Sequence, residues 1–251
     1  MLGKEYKMIY ITGDTHGNQY NWVEQIESVI SPADIILVCG DFGVGFWSGR
    51  YWSEEIFYDF LSEQKYTVLF IDGNHENFDK LYSYPMETWC GGRVHKIRQN
   101  VIHLMRGEVY CMEDISIFVM GGGYSIDKHL RTEGISWWSQ EMPSEEEYNH
   151  ALENLKRINY KVDYIITHTA PSETVYYLST LRSLGIKNDV VQEQQLTIFL
   201  DEIQRKVTYK HWYFGHFHVD LELWRNQTAL LSCVRELETG KVVRQWDPYE
   251  G

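Results

Sequence analysis

Residues 8–17 read Met8-Ile9-Tyr10-Ile11-Thr12-Gly13-Asp14-Thr15-His16-Gly17, a short apolar run that ends in a carboxylate and an imidazole. The run has the length and branched, aromatic content of a strand. Four later segments repeat the plan. Ile35 to Cys39 leads to Gly40-Asp41, Val68 to Ile71 to Gly73-Asn74-His75-Glu76, Tyr164 to Thr167 to His168, and His211 to Phe214 to Gly215-His216-Phe217-His218. Polar side chains gathered at the carboxyl ends of strands are where open α/β sheets build their sites. Two carboxylates, an amide and several imidazoles without a thiol suit divalent ions held by oxygen and nitrogen better than a structural zinc. Taken singly, an Asp-x-His is a loop, Asn74 a turn residue and His168 a packed histidine. Those readings do not explain why all of them follow strands.

Working outward, the first half alternates strand and helix patterns. Trp22, Val23, Ile26, Val29 and Ile30 have helical spacing over 18–30, and a second helix is expected near 53–63 after a loop rich in Gly and aromatics. With strands 35–39 and 66–71, this βαβαβ series implies a mainly parallel sheet. From Val94 to Met120 short strands follow closely (94–97, 101–104, 108–112 and 115–120) and are expected as hairpins of a second sheet. Ser144 with Glu147 is a capping box that should start a helix running to about Ile158. Two helical stretches are expected within 173–205, the second carrying Val191, Leu196, Phe199, Leu200 and Ile203. Strands are expected again at 211–214, 219–224, 228–232 and 241–246.

The order and spacing of the five motifs resemble the calcineurin-like metallophosphoesterase superfamily, with its Asp-x-His, Gly-Asp, Gly-Asn-His-Asp/Glu, lone His and Gly-His-x-His. The resemblance implies a four-layer α/β/β/α sandwich, two facing mixed sheets with outer helices. It also implies a phosphoesterase that uses two divalent metal ions, manganese foremost, with iron, zinc, nickel or magnesium also compatible with such ligands. By similarity, Asp14, His16, Asp41 and His218 hold one ion and Asp41, Asn74, His168 and His216 the other, Asp41 touching both. The reaction implied is direct attack of a metal-activated hydroxide on a phosphomonoester or phosphodiester. His75 is not a ligand in the resembling family. It lies over the cleft, where it stabilises the phosphoryl group or protonates the leaving oxygen. Gly40-Asp41 continues as Phe42-Gly43-Val44-Gly45, without the Asp and Arg of the phosphoprotein phosphatases, which argues against that branch and leaves the group that orients His75 open.

Substrate contacts are expected from the segment Gly121 to Arg131. Lys128 and Arg131 could meet phosphate, Tyr124 could stack on a ring, and Asn77 could line the cleft. An ordinary solvated loop is the equal alternative. His95, His103, His129, His150 and His211 have no motif support and receive no metal role.

The formal charge of −13, from 36 acidic and 23 basic residues, argues against tight binding to duplex nucleic acid or an anionic membrane. A small phosphate ester, a nucleotide included, remains the expected partner. Rival readings are a nuclease of the same superfamily and a non-catalytic metal-binding scaffold. Cys39, Cys90, Cys111 and Cys233 form no CxxC pair and read as reduced thiols of a soluble cytoplasmic protein. No signal peptide or membrane span is read. No Ser-, Pro- or charge-rich stretch divides the chain, so one domain over residues 1–251 is expected, with the oligomeric state open.

Overall fold

The structure, a computed structural model, describes residues 8–45, 53–112, 114–181 and 191–248. The first sheet takes β1 (Ile9–Thr12), β2 (Ile35–Val38), β3 (Thr67–Phe70), β4 (Met86–Trp89), β5 (Gly92–Arg98), β6 (Val101–Leu104), β13 (Cys233–Glu236) and β14 (Val242–Gln245). Their spatial order is β14-β13-β1-β2-β3-β6-β5-β4. The second sheet takes β7 (Val109–Met112), β8 (Ile115–Met120), β9 (Tyr164–Thr167), β10 (His211–Phe214), β11 (Leu221–Leu223) and β12 (Gln227–Ala229), in the order β11-β12-β10-β9-β8-β7. In each sheet the central strands are parallel and the edges antiparallel: β1-β2-β3-β6 in the first, β12-β10-β9-β8 in the second.

The period-two alternation of the strands builds three apolar layers. On β2, Ile35 and Leu37 face the second sheet, where Tyr164 and Ile166 of β9 meet them. Ile36 and Val38 face outward onto Trp22, Ile26, Phe57 and Leu61. On the other side Ile165 and Trp212 pack against Leu155, Leu178 and Leu200, from helices α4 (Glu145–Arg157), α5 (Ser172–Thr180) and α6 (Gln194–Lys206). Each fully buried aliphatic side chain contributes roughly 1.5–3 kcal/mol. Helix, sheet, sheet, helix is the order of layers, as the sequence predicts.

Three local expectations differ. Segments 94–97 and 101–104 lie in the first sheet, because β6 pairs in parallel with β3 and draws its hairpin partner β5 with it. Asn100 fastens that turn, its amide donating to the carbonyls of Leu61, Gln64 and Tyr66. Only β7 and β8 cross over. The expected helix over 18–30 is broken into α1 (Gln19–Asn21), a wide π turn Trp22–Ile26 and a 3-10 turn Glu27–Val29. Trp22 and Ile26 are both buried there, and the Trp22 indole donates to Tyr66 Oη at 3.1 Å, so packing overrides regular helical geometry. The expected strand 228–232 ends at Ala229, and residues 230–232 carry the chain to β13, beside β1. Asp220 holds that crossing, accepting from the Leu231 and Ser232 amides at 2.8 and 3.0 Å.

Helix α2 (Glu54–Ser62) lies close to the expected helix near 53–63, and a further short helix, α3 (Phe78–Leu81), follows the third motif. Val191 precedes α6 and is exposed, while 182–190 and the 46–52 part of the Gly- and aromatic-rich loop lie outside the described residues. Among the described residues no helix is long and apolar enough to cross a membrane.

The capping box opens α4 as read: Glu147 N donates to Ser144 Oγ at 3.3 Å and Ser144 N to Glu147 Oε2 at 2.7 Å. Ser144→Ala should therefore lower unfolding stability by about 1 kcal/mol in denaturant titration; an unchanged midpoint would show that packing alone starts the helix.

Candidate metal centre

The carboxyl ends of β1, β2 and β3 meet those of β9 and β10, and the loops leaving them interlock. Asp14, after β1, accepts from the backbone amide of His216, after β10, at 3.0 and 3.1 Å. His218 Nε2 lies 3.3 Å from Asp14 Oδ2. Asp41, after β2, is 1% exposed and its two oxygens face different imidazoles: Oδ2 is 3.1 Å from His16 Nε2, Oδ1 3.4 Å from His168 Nε2. Oδ1 also accepts from the His75 amide at 2.8 Å. Asn74 donates its amide nitrogen to Ser125 Oγ at 3.0 Å, which turns Oδ1 toward His168 Nε2, 3.1 Å away. His168 places Nδ1 2.8 Å from the carbonyl of Cys39, to which it donates, so that Nε2 is the ring atom turned toward Asp41.

Three overlapping groups bring ligand atoms within 4.8 Å of one another: Asp14, His16 and His218; His16, Asp41 and His75; Asp14, Asp41 and His168. His75, read from sequence as a non-ligand, falls in one of them. The His216 ring lies 4.9 Å from that of His168, centroid to centroid. Of the remaining histidines, His95 and His103 pair with each other, His150 with Glu108 and His211 with Thr228, apart from these groups.

Holding these atoms together strains the chain. His16, Asp41, His216 and His218 adopt left-handed backbone, with φ of +48°, +50°, +67° and +51°. Such residues cost of order 1–3 kcal/mol each and persist where the surroundings over-determine them. Glycine is required beside them: a Cβ on Gly73 would run into Asp41 Oδ1, and one on Gly215 into Asp14 Oδ1.

Burial alone would raise the Asp41 carboxyl, but His168, His75 and His16 hold it well below the usual range. Asp14 is also lowered, by His218 and His168 against its burial. Burial would lower His168, yet Asp41 and Asp14 push it up to about 10. The enclosed carboxylates thus draw positive charge. Carboxylate, imidazole and amide donors facing one space fit divalent cations. His75 differs, since its burial outweighs Asp41 and pulls it down to about 4.

Three buried carboxylates outside the predicted set support this arrangement. Glu76 accepts from the amides of Phe42, Gly43 and Val44 at 2.8, 3.0 and 2.5 Å, fixing the loop that leaves Asp41. Its place beside His75 was the signal available. Glu193 lies 3.2 Å from His216 Nε2 and accepts from Tyr124 N and Thr169 Oγ1, so the His216 Nδ1 is the atom turned elsewhere. No local pattern points to Glu193. Asp72 takes Nε and Nη2 of Arg106 at 2.8 and 2.6 Å and His103 Nε2 at 3.1 Å, anchoring the loop to Asn74.

The substrate candidates separate. Lys128 pairs with Glu141 at 3.1 Å and lies over the rings of Tyr124 and Trp137. Asn77 caps α3, accepting from Lys80 N at 2.9 Å. Arg131 reaches His75, Nη1 to Nδ1, at 3.0 Å.

Asp72→Asn should cost about 3–5 kcal/mol at neutral pH by leaving the buried Arg106 with only Glu147, 3.5 Å away and partly exposed, as counter-charge. The Arg106 guanidinium, with His103, holds Asp72 below the usual carboxylate range against its burial. The stability it contributes is complete above the unfolded value of ~3.9 and is lost as pH falls through the folded one. The gap between wild type and variant in denaturant unfolding should narrow toward acid; a gap independent of pH would contradict the ionic account.

The model of the calcineurin-like phosphoesterase family (Metallophos) matches residues 7–220, from the start of β1 past the last predicted ligand. Comparison with curated proteins finds no match. Because the match covers most of the chain and all five motif segments, the protein belongs to the calcineurin-like phosphoesterase family, whose members hydrolyse phosphoesters.

Proposed function

We propose that the protein hydrolyses small phosphate esters, mono- or diesters and nucleotides among them, with two divalent cations that share Asp41. Asp14, His16, Asp41 and His218 would hold one cation, and Asp41, Asn74, His168 and His216 the other, with manganese the first choice. The observation that carries this reading is Asp41 itself, buried, with one oxygen toward His16 and the other toward His168. When bound, the cations supply Lewis-acid charge for phosphoryl oxygens and a water of lowered pKa.

The chain's residues supply the rest. Glu193 and the Cys39 carbonyl hold the His216 and His168 rings, so that the opposite ring nitrogens, His216 Nδ1 and His168 Nε2, would be the ones to take a cation. Glu76 keeps the loop after Asp41 from relaxing. His75, pinned through its amide to Asp41, would stabilise charge on a phosphoryl or leaving oxygen. The net charge of −13 favours a small anion held at a local centre over a long polyanion.

The test is reconstitution with manganese or zinc, followed by elemental analysis and a hydrolysis panel of mono- and diesters, nucleotides and oligonucleotides. Two ions per chain are expected, and Asp41→Asn should weaken both. A single ion at full activity, unaffected by that substitution, would contradict the shared carboxylate.

A further inference from the structure

Arg131 is the one candidate of the Gly121–Arg131 segment whose described contacts include His75, through Nη1 at 3.0 Å from Nδ1. A guanidinium has five N–H donors, no acceptor, and stays charged in proteins. The tautomer is therefore set: Nδ1 accepts, and the ring proton sits on Nε2. The other tautomer, or an imidazolium, would aim an N–H at an N–H. Arg131 is itself held, with Nη2 paired to Asp127 Oδ2 at 2.7 Å and Nη1 donating to the Ser136 carbonyl at 3.2 Å. From the other side, the His75 amide is fixed on Asp41, and its ring stands edge-on to that of His16 at 5.4 Å. Main chain and ring are thus pinned by separate partners.

We infer that Arg131, held by Asp127, is the positioning residue of His75: it keeps the imidazole in the Nε2–H form, so that His75 offers an oxygen of the substrate a hydrogen-bond donor and not a base. A carboxylate on Nδ1 would select the opposite tautomer and favour the imidazolium, so the pairing decides which chemistry the ring can perform. The expectation that Arg131 meets phosphate directly gives way to one in which it acts through His75. Its catalytic consequence rests on the phosphoesterase reading; the tautomer does not.

Two measurements on the full chain test this separately. Ring nitrogen-15 shifts of His75, assigned by their loss in His75→Gln and recorded with zinc or magnesium, should show a protonated Nε2 and a bare Nδ1. Arg131→Ala should mix the tautomers. An Nδ1–H ring or an imidazolium in the wild type at neutral pH would overturn the inference, whether or not any ester is hydrolysed. In kinetics, Arg131→Ala should lower kcat about 10–100-fold with metal content and KM nearly unchanged. Arg131→Lys, which keeps a donor, should recover part of the loss. In a His75→Ala background, removing Arg131 should cost less than about twofold more. A raised KM, or losses that multiply in the double variant, would make Arg131 a direct substrate contact and overturn the positioning role. A wild-type chain inactive on every ester would refute the proposed function while the nitrogen-15 result still decides the tautomer.

Discussion

Two carboxylates, Asp14 and Asp41, are buried where the carboxyl edges of two sheets meet, and the surrounding structure answers to that fact. Taking a carboxylate out of water costs several kcal/mol unless charge and hydrogen bonds replace the hydration. Here much of the replacement comes from the opposite sheet, the His216 amide and His218 for Asp14 and His168 for Asp41, while His16 and the His75 amide serve Asp41 from its own. Neither sheet alone could satisfy both acids. The inter-sheet core of Ile35, Leu37, Leu69, Ile117 and Ile166 brings the two edges together, and the acids make their relative position matter.

The same logic extends one layer out. Glu76, Glu193 and Asp72 are each buried, and each spends its oxygens on a loop that carries a ligand candidate. Left-handed backbone at His16, Asp41, His216 and His218 is tolerable because these anchors and the neighbouring glycines leave the loops no alternative. The centre is in this sense pre-built by polar contacts, while the apolar layers supply the net stability from which the strain is drawn.

The motif residues were legible because each lies within a few residues of a strand's carboxyl end, and strands announce themselves by short apolar runs. Sheet membership was less so. Val94, Ile102 and Leu104 alternate as they would in either sheet, and only the pairing of β6 with β3, set by tertiary contacts, assigns them to the first. Trp22 and Ile26 mark an amphipathic segment correctly, but spacing does not report that packing and the bond to Tyr66 accompany a π turn. Glu193, distant in sequence from His216, carries no local signature at all. Lys128 and Arg131 looked alike as cations in a Gly-rich loop. Their partners, Glu141 for one and His75 for the other, become visible only in three dimensions.

An anomalous difference map from crystals of the manganese-loaded protein, recorded where manganese scatters anomalously, tests the central claim most directly. The account predicts two peaks roughly 3.5–4 Å apart, with Asp41 between them, His16 and His218 at one and His168 and His216 at the other. A single peak, or two that do not both touch Asp41, would contradict it.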